Sequence, residues 1–100
     1  MIKVVIEKEN SHYKKISILG HAMYADYGKD IVCSAASSIA TTTINGILSL
    51  NEGSLSYEVS KEGLVINISD IGNTTQTLIK NMINLLKELE ENYPTNIQVK

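Results

Sequence analysis

The chain has 100 residues, a net charge of −2, and 43% hydrophobic against 20% charged side chains, a balance that excludes intrinsic disorder and leaves room for one domain. Its nine cationic residues, all lysines, are scattered along the chain, so the basic stripe of a direct nucleic-acid binder is absent. No unbroken apolar run approaches the roughly 18 residues that cross a bilayer, the N-terminus reads as a strand instead of a signal peptide, and a lone cysteine excludes an internal disulfide. A reducing, cytoplasmic setting with no membrane partner is expected.

Ile2 to Lys8 alternates apolar and polar side chains, and Tyr13 to Leu19 does so again, with Glu9-Asn10-Ser11-His12 as the hairpin turn between two strands. From Asp30 to about Leu50 the period changes. Ile31, Ala35, Ile39, Ile44, Ile47 and Leu48 recur at three- and four-residue spacing, which predicts a helix capped by Asp30. That helix is filled with small residues, Ser34-Ala35-Ala36-Ser37-Ser38 and Thr41-Thr42-Thr43. Threonine is a mediocre helix former, so tertiary packing must hold it, and small side chains let a neighbour approach closely.

Asn51-Glu52-Gly53 ends the helix, and Leu55 to Val59 with Leu64 to Ser69 predict a second strand pair around Lys61-Glu62-Gly63. After a break at Asp70 to Asn73, the stripe Leu78, Ile79, Met82, Leu86 and Leu89 predicts an amphipathic helix to about Asn92, its charged face solvated. Pro94 stops it, and Asn96 to Val99 returns as a last strand. The order β-β-α-β-β-α-β argues for a single α+β domain over residues 1–100, a mostly antiparallel sheet with two packed helices.

Two side chains call for chemistry. With Asp30 as cap, Cys33 falls on the first helical turn, where unpaired amides and the helix dipole favour an anion; cysteines so placed reach a pKa of roughly 3.5 to 7.5 instead of about 8.5. The same amides suit a developing oxyanion. His21 arrives from the preceding strand through Gly20, twelve residues earlier, and a loop of that length can return it to the thiol as proton donor to a leaving amine. Asp30 serves as cap, as an orienter of His21, or as both. Ser37, one turn beyond Cys33, is a hydrogen-bonding partner or a small packing residue.

Between them, Met23, Tyr24, Tyr27 and Gly28 give a loop with adaptable apolar groups and a glycine, fit either to grip a peptide or to form plain surface. For Cys33 alone the competing reading is a buried small hydrophobe. His12, His21 and Cys33 have no metal-ligand spacing, so no metal and no cofactor are expected.

Gly20-His21-Ala22 followed by Gly28-x-Asp30-Ile31-Val32-Cys33-Ser34-Ala35-Ala36-Ser37 resembles the signature of the ribosomal-processing cysteine proteases, the Prp family. Length and element order are similar too. Ala36 stands where a bulkier aliphatic residue is common in that family. The resemblance implies a homodimeric endopeptidase that removes the N-terminal extension of a large-subunit ribosomal protein precursor, with Cys33 as nucleophile, His21 as proton donor, Asp30 and Ser37 in support, and a loop that orders on substrate. The alternatives left open by the residues are a non-enzymatic ribosome-assembly or interaction domain with a buried cysteine, and another thiol enzyme such as an acyl transferase or redox sensor.

Overall fold

A computed structural model describes residues 1–20 and 31–100. Strands β1 (Ile2–Glu9) and β2 (His12–Leu19) form an antiparallel hairpin, followed by helix α1 (Ile31–Leu50). A second hairpin, β3 (Leu55–Ser60) and β4 (Gly63–Ile68), leads into helix α2 (Asn73–Asn92) and the short strand β5 (Ile97–Val99). The sheet order is β3-β4-β2-β1-β5, with every pairing antiparallel except β1 with β5. The α+β architecture read from the sequence is the one observed.

The first turn holds only Asn10 and Ser11, both at positive φ (51° and 68°). That pair of dihedrals gives the primed two-residue turn whose twist matches a hairpin. Gly20, at the end of β2, has φ +72°, and a Cβ there would strike the carbonyl oxygen of Met1. Its N–H donates to the carbonyl of Glu62 at 3.0 Å. The joint through which the chain passes from β2 to His21 is thus pinned at Gly20 between two neighbouring segments.

Register places Val4, Ile16, Ile18, Ile66 and Leu55 on one sheet face, and their buried side chains join those of both helices in one apolar cluster. Both helices therefore cover the same face, and the molecule has two layers. Helix α2 buries Ile79, Met82, Ile83 and Leu86, close to the expected stripe, with Leu78 and Leu89 at its margin.

On α1 the buried stripe is Val32, Cys33, Ala36, Ala40, Ile44 and Ile47. It is rotated from the expected one, leaving Ile31 65% exposed. The reason is size: the helix settles its small side chains, Cys33, Ala36 and Ala40, against the sheet, where they permit close approach. The helix has 20 residues and a mean hydropathy of 1.4 over its most apolar window, enough by length and composition to cross a membrane although no unbroken apolar run in the sequence is. Its apolar stripe belongs to the core of the domain.

The two helices begin differently. Before α2, the Asp70 carboxylate accepts hydrogen bonds from Thr75 Oγ1 (2.6 Å) and the Gly72 N–H (2.8 Å). Gln76 Nε2 donates to the carbonyls of Asp70 (3.0 Å) and Tyr13 (3.1 Å), and Gln76 Oε1 accepts from the Tyr13 N–H at 2.8 Å. This ties the helix start to β2. The first three residues of α1 are the apolar run Ile31-Val32-Cys33.

Candidate active site

Chain direction fixes which end of the domain carries the thiol. Four residues join α1 to β3, so the helix and that strand run in opposite directions. Because β3 and β2 are both antiparallel to β4, the first turn of α1 lies at the end of the sheet where β2 finishes. Cys33, third residue of α1, is therefore at the same end as Gly20. His12, at the opposite end of β2, is eight residues from Gly20, about 25 Å of extended chain.

Cys33 is 6% exposed and shares the core-facing stripe with Val32 and Ala36. Its burial fits a small hydrophobe, as its place on the first turn fits a helix-activated thiol. His21, Asp30 and the loop residues Met23, Tyr24, Tyr27 and Gly28 lie outside the described residues. Ser37 is described: it is half-buried one turn beyond Cys33 and helps line a groove. Among the described residues no three His, Cys, Asp or Glu side chains gather as a metal site would require.

The groove has a volume of about 260 Å³ and separates α1 from the β3–β4 hairpin. Ile18, Ala40 and Ile44 supply apolar lining, Tyr57 and Val59 the strand side, and Ser37 the end toward Cys33. Helix-side residues of β3 show how it opens. Leu55 is 5% exposed, Tyr57 47% and Val59 61%, so cover is lost along the strand toward the end that holds the thiol. Sequence reasoning missed this feature; the alternation of Leu55, Tyr57 and Val59 was its available signal, read only as a strand.

Comparison with known proteins distinguishes between the readings of the thiol. The sequence profile of the family described as cysteine protease Prp matches residues 1–98. The ribosomal processing cysteine protease Prp of Staphylococcus aureus is 31% identical over 83 residues, covering 80% of this chain and 78% of that protein. Its Bacillus subtilis counterpart is 26% identical over 109 aligned positions, covering 99% and 96%.

Among solved structures, the essential ribosomal processing protease Prp from S. aureus in complex with a substrate peptide superposes with a TM-score of 0.82 at 28% identity, covering 100% of this chain and 98% of that one. The protein SMU.848 from Streptococcus mutans gives 0.86 at 25% identity, covering 100% and 92%. A non-enzymatic domain with an inert cysteine is thereby set aside: the chain belongs to the cysteine protease Prp family and is a cysteine protease.

Proposed function

We propose that this chain, acting as one domain over residues 1–100, removes the N-terminal extension of a large-subunit ribosomal protein precursor, with Cys33 as nucleophile and His21 as its proton partner. The observation that carries the reading is that Cys33 is the only cysteine in a member of a cysteine protease family, and that it falls on the first turn of α1. The name of the S. aureus relative and its substrate-peptide complex support the ribosomal substrate. His21 is favoured over His12 because it follows Gly20, at the end of the sheet where α1 begins.

In this mechanism the Cys33 Sγ thiolate attacks the scissile carbonyl carbon, and the oxyanion draws on amides of the first helical turn. The C–N bond breaks as His21 gives its proton to the leaving amine. The resulting thioester is attacked by water, which yields a proton to His21; the C–S bond breaks and a free carboxylate leaves. Asp30 orients the imidazole while capping the helix, and the Met23 to Gly28 loop covers the peptide. The enzyme works in the cytoplasm as a homodimer, and a monomeric mass at micromolar concentration would count against that state.

The direct test is incubation with the N-terminal region of the ribosomal protein precursor from the same organism, reading product ends by mass spectrometry. One cut that releases the extension is expected from the wild type, and none from Cys33→Ala or Cys33→Ser. Intact precursor with wild type, or cleavage that persists in both variants, overturns the reading.

A further inference from the structure

The Ser60 and Glu62 side chains on the turn between β3 and β4 have no part in the bond-breaking steps above. We propose that this turn is a positioning element for the proton donor: Ser60 and Glu62 clasp it so that the Glu62 carbonyl fixes Gly20, and with it the direction in which the chain leaves β2 toward His21. The proposal rests on the protease reading and on His21 as proton donor.

Gly20 is the residue before His21, and it is held from both sides. The ladder between β2 and β4 ends at the pair Leu19 and Gly63. One more bond follows beyond it, from the Gly20 N–H to the Glu62 carbonyl at 3.0 Å. On the β1 side the Met1 carbonyl oxygen lies so close that a Cβ on Gly20 would strike it. At φ +72° the residue has a backbone conformation that glycine adopts without cost. The side chain of the next residue starts from that fixed point, and a proton donor must come within about 3 Å of the atom it serves.

The carbonyl that fixes Gly20 is itself held. Ser60 Oγ donates to Glu62 Oε2 at 2.9 Å and accepts the Glu62 N–H at 3.2 Å, a local serine turn reaching two residues ahead. Anchored at amide and carboxylate, Glu62 keeps its carbonyl in one direction. Gly63 lets the turn lie against β2: its φ is +136°, and a Cβ there would strike the Ile18 carbonyl oxygen. The hairpin turn at the other end of β2 is made differently, from two residues at positive φ, Asn10 and Ser11. Closing a hairpin therefore does not require the clasp, which stands at the end where β2 leads to His21 and α1 begins.

Ser60→Ala tests this, because Ser60 is exposed and its replacement leaves the core intact, whereas Gly63→Ala would disturb the sheet itself. The first readout needs no substrate: the rate of Cys33 alkylation by iodoacetamide, measured across pH. An imidazolium beside the sulfur keeps thiolate populated below the ordinary cysteine pKa of about 8.5, so His21→Ala is expected to move the midpoint of that curve up. Ser60→Ala is expected to move it up by about half a unit, part of what losing a neighbouring charge does. Ser60→Thr, which keeps the hydroxyl, should restore the wild-type curve. Added to His21→Ala, Ser60→Ala should move the midpoint no further, the coupling of two residues that act through one.

The second readout is cleavage of a 20-residue peptide spanning the precursor's cleavage point. Ser60→Ala is expected to lower kcat about tenfold with KM within about twofold, since a small misplacement of a reacting group is felt in the transition state and not in binding. An unshifted alkylation midpoint in Ser60→Ala overturns the proposal, as does an equal shift in the His21→Ala background or a fall in kcat that Ser60→Thr does not reverse. Lost activity matched by a lower folded fraction in circular dichroism, with the midpoint unmoved, overturns it too, by making the clasp a matter of folding alone. A wild-type curve in His21→Ala removes the histidine and the proposal together. Failure of the wild type to cut any peptide is a different result: it removes the processing reading, while the alkylation curves still decide the role of the clasp.

Discussion

The two halves of this domain repeat one plan, a hairpin followed by a 20-residue helix, yet the first turns of the two helices carry different side chains. At α2 the Asp70 carboxylate takes the Gly72 N–H and the Thr75 hydroxyl, and Gln76 binds the start to β2. The polar groups there satisfy one another. At α1 the first turn carries Ile31, Val32 and Cys33, the last two buried in the core. Neither first turn carries an acidic side chain; what differs among the described residues is that α2 starts beside a polar network and α1 starts on apolar residues and the thiol. The recurring order of elements supplies the scaffold, and under the proposed mechanism the first turn of α1 supplies the nucleophile.

The largest effect expected from breaking this contrast is at Cys33. Cys33→Ala should lower peptide cleavage by about four orders of magnitude or more, since the nucleophile of a hydrolase acts as a unit with its base. Its unfolding midpoint should move little, as only one sulfur atom leaves the core. Thr75→Ala, at the corresponding turn of α2, should show the reverse: cleavage near wild type and a lower midpoint in urea. Parallel kinetics and denaturant titrations check both. Cleavage retained in Cys33→Ala would erase the distinction between the two starts.

The next effect concerns what holds each helix. Helix α2 is anchored by Leu86, Ile79 and Met82, each fully buried, and Leu86→Ala should cost about 2 to 5 kcal/mol by urea unfolding. For a domain whose whole stability is on the order of 5 to 15 kcal/mol, that is a large share. Helix α1 is held more by close packing than by propensity. Its Gly46 is exposed, and a Cβ there meets nothing within 4 Å. Gly46→Ala should therefore stabilise by about 0.5 to 1 kcal/mol. A destabilised variant would mean that another element approaches α1 at that point.

The same contrast explains what could be read from the sequence. Strands and helices follow from apolar periodicity, so all seven elements and the hairpin turns were legible, down to Pro94 after α2. The face of α1 was not. Reading by bulk selects Ile31, Ala35 and Ile39, but burial chose Cys33, Ala36 and Ala40, because a helix of small residues sinks until its smallest side chains touch the sheet. Cys33 and His21 were singled out because thiol chemistry restricts residue type and place, and the structure describes only the first of them. The exposure of Tyr57 and Val59 was not legible, since it depends on where α1 stops covering an edge strand. The proposal of a ribosomal substrate rests on family likeness alone.

The smallest predicted effect is a pH dependence at the start of α2. Hydrogen bonds from Thr75 and the Gly72 N–H, opposed in part by desolvation, hold the Asp70 carboxyl below its ordinary 3.8. A group whose folded pKa is depressed lends stability that is fully present above its unfolded value and disappears as pH falls through the folded one. The contribution of Asp70 should therefore be constant at neutral pH and fade below about 4. Asp70→Asn keeps the shape but removes the charge, so it should be less stable than wild type at pH 7 and converge with it in acid. Urea midpoints measured from pH 7 to pH 2 check this. Parallel curves would show that the carboxylate adds nothing to the start of α2 beyond what a neutral amide supplies.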